Sequence, residues 1–285
     1  MFFNKLIEKE LDIIINNALR EDLGDGDHSS LACIPLNSVG KAKLICKDAG
    51  IVAGVDFAKR VFGTVDSNLN VIVLVQDGQQ VKYGDIILTV EGSSQSILKA
   101  ERLVLNVIQR MSAIATKTKK YVDLLEGTNT KILDTRKTTP GIRALEKWAV
   151  KIAGGENHRF GLYDMIMLKD NHIDFAGGIT QAIEKTKKYL VDNNKDLKII
   201  VEARNLDEIK EILSNEGVYR ILIDNFSISD TKKAVELIGD YCLTESSGGI
   251  NESNIRDFAL CGVNYISSGA LTHSVHNMDF SLKAY

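Results

Sequence analysis

Two apolar runs in the middle of the chain end in bursts of polar residues. Residues 131–133 run into Asp134, Thr135, Arg136 and Lys137, and residues 165–168 run into Lys169, Asp170, Asn171 and His172. Between them, next to paired glycines, stand Asn157, His158 and Arg159. Cations this dense at strand ends repel one another unless something anionic sits among them. Arginine captures planar carboxylates through two parallel hydrogen bonds, whereas lysine offers phosphate a point charge. The spacing predicts a grip for a multiply charged anion.

Elements must carry these residues to one place. From residue 131 the chain alternates strand and helix patterns, with candidate strands KILDT, DMIMLKD, KIIVEA, RILIDN, YCLTES and VNYISS. Helical patterns such as GITQAIEKTKKYLVD, NLDEIKEILSN, SDTKKAVELIG and NESNIRDFAL separate them. The first interstrand helix is expected to have Thr139 as N-cap, Pro140 at its first position and Gly154 beyond its end. Such alternation implies a parallel sheet buried on both faces. Without a Rossmann glycine fingerprint, a β/α barrel is favoured over a doubly wound sheet. In a barrel the C-terminal strand ends converge, and here each is polar or glycine: Asp134 to Lys137, Lys169 with Asp170, Glu202, Asp224 with Asn225, Glu245 to Gly249, and Ser268 with Gly269.

That ring sorts by chemistry. Arg136, Lys137, Arg159 and Lys169 are cationic, while Glu202 and Asp224 are carboxylates from successive strands. Such a pair suits Mg²⁺, which keeps most of its waters and bridges to substrate phosphates. SSGGI (Ser247, Gly248, Gly249) and SSGALTH (Ser268, Gly269, His273) offer backbone N–H groups ahead of helical segments, as phosphate cradles do. The expected substrates are one molecule bearing carboxylates and one bearing phosphates with Mg²⁺.

The rest of the chain sets bounds. Its 285 residues suit one large or two medium domains, and 44% hydrophobic with 26% charged residues is ordinary for a globular protein. A net charge of −3 gives no field for nucleic acid, so a local basic cluster points to a small anion. Cys33, Cys46, Cys242 and Cys261 form no metal-ligand spacing and read as free thiols in a reducing, cytoplasmic setting. The N-terminal stretch lacks the pattern of a signal peptide, and Ile7, Leu11, Ile14, Ile15 and Ala18 recur at helical spacing. No apolar run reaches the roughly 18 residues of a membrane span. KAKLICK, GIVAG, NVIVLVQDG and DIILTVEG read as strands, and a long helix follows from Ile97 through ERLVLNVIQRMSAIAT.

Several residues admit plainer roles. Arg143 and Lys147 read as a solvated helix face and Trp148 as core. His158 alone would be a hydrogen-bonded structural histidine, but beside Arg159 it joins the anion site. His172 stays open between the two readings, Glu202 could instead pair with a cation, and His28 and His276 lack supporting context. The EDLGDGD loop lacks the spacing and closing glutamate of a calcium-binding hand.

DTRKTTPGIRALEKWAV, GGENHRFGLYDMIMLKDNHI, VEARNLDE, IDNFS, SSGGINESNI and YISSGALTHSV together resemble the quinolinate phosphoribosyltransferase family, also called carboxylating nicotinate-nucleotide pyrophosphorylases. EDLGDGDHSS and ERLVLNVIQRMSAIAT belong to the same pattern, so the likeness runs from about residue 18 to 282. It implies an N-terminal α/β sandwich domain, residues 1–112 joined by the tail 270–285, and an open seven-stranded α/β barrel, residues 113–269. One strand is then missing from the barrel reading, or lies before residue 131. The family works as a homodimer or larger assembly, up to a hexamer of dimers, and Arg102 is similar to the arginine it supplies in trans. By the same likeness Arg102, Arg136, His158, Arg159 and Lys169 would hold quinolinate, with Thr135 among the substrate-binding residues. Lys137, Glu202, Asp224, Ser247, Gly248, Gly249, Ser268, Gly269 and His273 would meet phosphoribosyl pyrophosphate and its Mg²⁺. Lys137, Lys169, Glu202 and Asp224 would carry the catalysis.

Departures are mild: VEAR stands where VEVE-like runs are frequent, and SSGG where ASGG is common. A rival reading is a ModD-type protein of the same fold, linked to molybdenum transport, which would keep the phosphate half of the site and alter the carboxylate half. The pairing of TRK with NHR and KDNH argues against it. DGQQVKYGDIILTVEG also resembles half of a biotinyl or lipoyl carrier domain, but no exposed hairpin-tip lysine stands there.

Overall fold

The computed structural model describes residues 2–285, with side chains from residue 8. In chain order the elements are α1 (Phe2–Leu23), α2 (His28–Cys33), β1 (Val39–Cys46), β2 (Gly50–Ile51), α3 (Val55–Val65), β3 (Asn70–Val73), β4 (Gln80–Val81), β5 (Ile86–Ser93) and α4 (Ser94–Leu124). Then follow β6 (Lys131–Leu133), α5 (Arg143–Ile152), β7 (Ile166–Leu168), α6 (Asp170–Ala176), α7 (Ile179–Asp192), β8 (Ile199–Ala203), α8 (Leu206–Leu213), β9 (Arg220–Asp224) and α9 (Ile228–Ile238). The chain closes with β10 (Leu243–Ser247), α10 (Ile255–Leu260), β11 (Tyr265–Ser267), α11 (Ala270–His273) and β12 (Phe280–Ala284).

The residues group into two compact units, one of 1–119, 138–154 and 271–285, the other of 120–137 and 155–270. The first is the α/β sandwich. Its sheet runs β12-β1-β5-β3, antiparallel throughout, with the last strand of the chain laid against the first. Alternation along β1 buries Ala42, Leu44 and Cys46 on one face, against a core that includes Phe57, Phe62, Ile108 and Met111. The apolar stripe of α1 is buried at Leu11, Ile14 and Ile15, with Ala18 half-buried, while Ile7 lies outside the described side chains. Among the described residues no helix is long and apolar enough to cross a membrane.

In this unit α5 starts at Arg143, later than the expected Thr139 N-cap. The Thr139 side chain and amide are instead taken by Glu146, at 2.8 and 3.1 Å. Glu146 is fully buried and also binds Arg110 at 2.9 Å, and the chain from Thr139 turns, with the Ile142 amide on the Thr139 carbonyl, before the helix begins. Gly154 does follow the helix end, at φ 88. Lys147, read as solvated, is fully buried.

The second unit is the barrel. Six parallel strands run in the order β6-β11-β10-β9-β8-β7. The outer-facing Val201, Ile221, Ile223 and Ile266 are buried, as are the helix residues Ile209, Ile212, Ala234 and Phe258. The seventh position is a single residue: Glu156 forms a parallel bridge to Leu133, with its amide on the Ile132 carbonyl and its own carbonyl accepting from Asp134. The missing strand therefore lies after β6, inside the GGENHR loop, and is too short to leave an apolar run in the sequence. The barrel is open between this bridge and β7.

Candidate active site

Strand register selects which side chains share the barrel interior. Met167 pairs with Ile200, Glu202 with Leu222, Leu222 with Glu245, and Asp224 with Ser247. Residues two apart on a strand share a face. Glu202, Asp224, Glu245 and Ser247 therefore lie on one face, with Leu222 level with Glu202 and Glu245, and Met167 and Ile200, which join Leu222 in an apolar cluster, one level deeper.

Glu202 is 6% exposed and takes the Lys169 ammonium at 3.3 Å and the Asp170 amide at 3.4 Å. Lys169 caps α6: its amide donates to His172 Nδ1 at 3.1 Å, which gives His172 a structural task. On the next strand end, the Asn225 side-chain amide donates to Asp224 Oδ2 at 2.6 Å. Asn225 is held at φ 56, and its own amide donates to the Ser247 carbonyl at 2.9 Å. Its side chain packs so closely on Gly248 that any Cβ there would collide with it. Gly248 and Gly249 have φ 93 and 62, conformations that glycine adopts without strain and that leave backbone N–H groups uncovered by side chains.

The cationic half hangs on the loop after Glu156. Asp134, fully buried, accepts from Asn157 Nδ2 at 2.5 Å and from the His158 amide at 2.9 Å. The Arg159 amide donates to His158 Nδ1 at 2.7 Å, and its guanidinium donates to the Met165 carbonyl at 3.1 Å. Asp164 ties the following turn by accepting from the Phe160 and Gly161 amides at 2.7 and 2.9 Å. Arg159 is only 8% exposed. Burial first, then the charge of Arg136, push its guanidinium below its ordinary value, with Asp164 opposing them. Two arginines held within reach of each other, one of them desolvated, describe a site strained toward an anion.

Below them lies a buried ionic cluster absent from the sequence reading. Glu245 is fully buried and accepts from Arg220 at 2.6 Å, and His158 Nε2 lies 3.3 Å from the same oxygen. Arg220 stacks on Tyr265, 4.1 Å from the ring centroid. Burial pushes the Glu245 carboxyl up, but the His158 contact and the charge of Arg220 outweigh it and hold the group below its ordinary value. Arg220 opens an apolar strand at the end remote from the polar ring. Only its register with Leu243, two residues before Glu245, reveals the pairing.

The remaining expected site residues are less uniform. The Thr135 hydroxyl accepts the Lys137 amide at 3.0 Å, turning the chain after β6. Arg136 and Lys137 are exposed. Ser268 is 5% exposed, with its hydroxyl toward the Ile250 carbonyl at 3.4 Å, beside Gly269. Arg102 and His273 belong to the other compact unit: Arg102 is an exposed residue of α4, and His273 ends α11 with Nδ1 2.6 Å from the Ser274 hydroxyl. His28 Nε2 meets Asp25 at 3.3 Å on the surface. The four cysteines are free.

Residues 27–112 match the model of the quinolinate phosphoribosyl transferase N-terminal domain, and residues 114–283 match that of its C-terminal domain. The chain belongs to the quinolinate phosphoribosyltransferase family. It is 45% identical to the chloroplastic carboxylating nicotinate-nucleotide pyrophosphorylase of Oryza sativa subsp. japonica, over 96% of this chain and 77% of that one. It is 40% identical to the probable carboxylating nicotinate-nucleotide pyrophosphorylase of Bacillus subtilis (strain 168), over 96% and 93% of the two chains. Its fold superposes on the crystal structure of NadC from Streptococcus pyogenes with a TM-score of 0.90 at 38% identity, covering 96% and 95%. Membership of the quinolinate phosphoribosyltransferase family thus rests on both units of the chain.

Proposed function

We propose that the chain transfers the phosphoribosyl group of phosphoribosyl pyrophosphate to quinolinate with decarboxylation, giving nicotinate mononucleotide, pyrophosphate and CO₂ for pyridine nucleotide synthesis. The observation that carries this reading is the Arg159 guanidinium, 8% exposed and within the field of Arg136, at a barrel strand end. A two-carboxylate substrate offsets both charges, and a one-carboxylate analogue leaves one unanswered. That difference favours quinolinate over nicotinate. The intact cationic half also argues against the ModD-type alternative.

In this mechanism Arg136, Arg159 and Lys169 orient quinolinate, with Thr135 and His158 shaping the pocket, so that the pyridine nitrogen faces C1 of the ribose. The nitrogen attacks as the C1–O bond to pyrophosphate breaks. Positive charge develops on the ribosyl ring, where Glu202 and Asp224 stabilise it, and negative charge on pyrophosphate, where Lys137 does. Ser247, Gly248, Gly249, Ser268, Gly269 and His273 receive the phosphates. The resulting pyridinium then accepts the electron pair of the breaking C–C bond, releasing CO₂, and the carbon takes a proton.

Among the described residues no group of three or more His, Cys, Asp or Glu could hold a metal by itself. Glu202 and Asp224, on adjacent strands, fit instead an ion that draws its other ligands from water and substrate phosphates, as Mg²⁺ does. Mg²⁺ bound with phosphoribosyl pyrophosphate would neutralise the leaving diphosphate. We further propose a homo-oligomer, a dimer or an assembly of dimers, in which Arg102 enters the neighbouring subunit's site, and a cytoplasmic setting. The test is turnover of the purified protein with quinolinate, phosphoribosyl pyrophosphate and Mg²⁺. Release of nicotinate mononucleotide and CO₂ is expected, and their absence would sink the reading.

A further inference from the structure

The buried cluster beneath the loop of Arg159 has more structure than a salt bridge needs. One carboxylate oxygen of Glu245 serves both Arg220 Nη1, at 2.6 Å, and His158 Nε2, at 3.3 Å. The opposite ring nitrogen, Nδ1, accepts the Arg159 amide at 2.7 Å. A backbone N–H donates only, so Nδ1 carries no proton, and the ring proton sits on Nε2, the nitrogen that faces the Glu245 carboxylate at 3.3 Å. The ring is thereby defined as the neutral Nε2–H tautomer.

Asp134 holds the ring's own backbone by accepting the His158 amide at 2.9 Å. A proton on Nδ1 would set donor against donor at the Arg159 amide. Arg220, 5% exposed and stacked on Tyr265, fixes the Glu245 carboxylate that faces Nε2. A fully buried ion pair is a poor stability device compared with apolar packing of equal volume. Its use here is geometric, because it fixes one ring state and, through that state, one backbone position.

We propose that Glu245 and Arg220 are positioning residues that hold His158 as its neutral Nε2–H tautomer and, through it, hold the Arg159 guanidinium in place for the anion. The inference rests on the quinolinate reading for its substrate but not for its tautomer. Neither residue touches substrate in this scheme. His158 acts through the Arg159 amide.

Nitrogen-15 NMR of the histidine side chains in the full-length protein reads the tautomer without any substrate, the His158 signals being identified by their loss in His158→Asn. An unprotonated Nδ1 and a protonated Nε2 are expected. In Glu245→Gln that pattern should be lost and the Arg159 backbone amide should exchange faster. Its quinolinate KM should rise about ten- to a hundredfold with the KM for phosphoribosyl pyrophosphate unchanged. If Glu245→Gln leaves Arg220 unbalanced and fails to fold, Arg220→Gln with Glu245→Gln buries no lone charge and carries the same expectations. His158→Phe, which loses the acceptor, should raise the quinolinate KM more than His158→Asn, whose Oδ1 keeps an acceptor near the Arg159 amide. A protonated Nδ1 in the wild type overturns the proposal, and so does a folded variant whose quinolinate KM is unchanged or whose two KM values rise together. If the wild type turns over no quinolinate, the functional reading falls, and the NMR pattern with the Arg159 exchange rate still decides the tautomer.

Discussion

Arg159→Met removes the desolvated charge while filling most of the volume. Truncating a buried, hydrogen-bonded charge that meets a charged ligand costs about 2–5 kcal/mol. Arg159 is 8% exposed, so the middle of that range applies, and quinolinate affinity should fall roughly three hundredfold. Arg136 is exposed, and its removal by Arg136→Ala should cost about 1 kcal/mol, or roughly fivefold. The unliganded protein should be far less affected. Arg159→Met loses the bond to the Met165 carbonyl, 3.1 Å long, worth about 1–2 kcal/mol. It also relieves a buried cation placed near another, so the unliganded thermal midpoint should stay within about 4 °C of wild type. Titration calorimetry with quinolinate and a thermal melt of the same samples measure both quantities. Quinolinate binding within about twofold of wild type would refute the anion site. A midpoint that collapses, with both substrates weakened equally, would make Arg159 a structural arginine.

Gly248→Ala should lower stability by about 1–3 kcal/mol and raise the KM for phosphoribosyl pyrophosphate, because its Cβ would meet the Asn225 backbone nitrogen at 2.9 Å at a φ of +93. Paired melts and kinetics would show whether both move. Glu245, held below its ordinary 4.5, contributes stability that is complete above its unfolded value and lost as pH falls through its folded one. Acid titration should therefore show stability disappearing as pH falls below that ordinary value, and Glu245→Gln should flatten that limb of the curve. Asn205→Ala should cost about 1 kcal/mol with turnover unchanged, since the Asn205 side chain caps α8 by accepting from the Asp207 and Glu208 amides at 3.0 and 2.9 Å. Mixing inactive Arg102→Ala with inactive Arg159→Ala should restore about a quarter of wild-type activity if Arg102 acts across a symmetric dimer. Mixed samples no more active than their parents would place Arg102 outside the neighbour's site.

Much of the fold was legible because it is written locally. Each apolar run of the barrel became a strand, and the intervening 3.6-residue periodicities became helices, because burial on both faces leaves a continuous apolar signature. Asn205 opens the NLDEIKEILSN pattern in sequence and caps α8 in space, whereas α9 is capped by Ser227, two residues ahead of the SDTKKAVELIG pattern. Local signals misled where a distant partner intervened. Thr139 followed by Pro140 reads as a helix start, but the buried Glu146 carboxylate takes the Thr139 amide and hydroxyl, and the helix begins at Arg143. Lys147 reads as solvated by type and is fully buried. The single-residue bridge at Glu156 has no periodicity at all, since it is defined by its pairing with Leu133.

By itself the sequence carried the residues from which the chemistry was read: cations and carboxylates at successive strand ends, glycines beside two of them, and motifs specific enough to name the family. Side-chain types and short spacings are properties of the chain, so they need no folding to be read. Only the tertiary structure decided how those groups are held. It turned the Lys169 amide onto His172, set Arg159 into a desolvated place beside Arg136, and built the Arg220–Glu245–His158 cluster from three separate segments. Burial and long-range charge pairing arise only when strands far apart in sequence come into register, and that register is where the state of His158 is set.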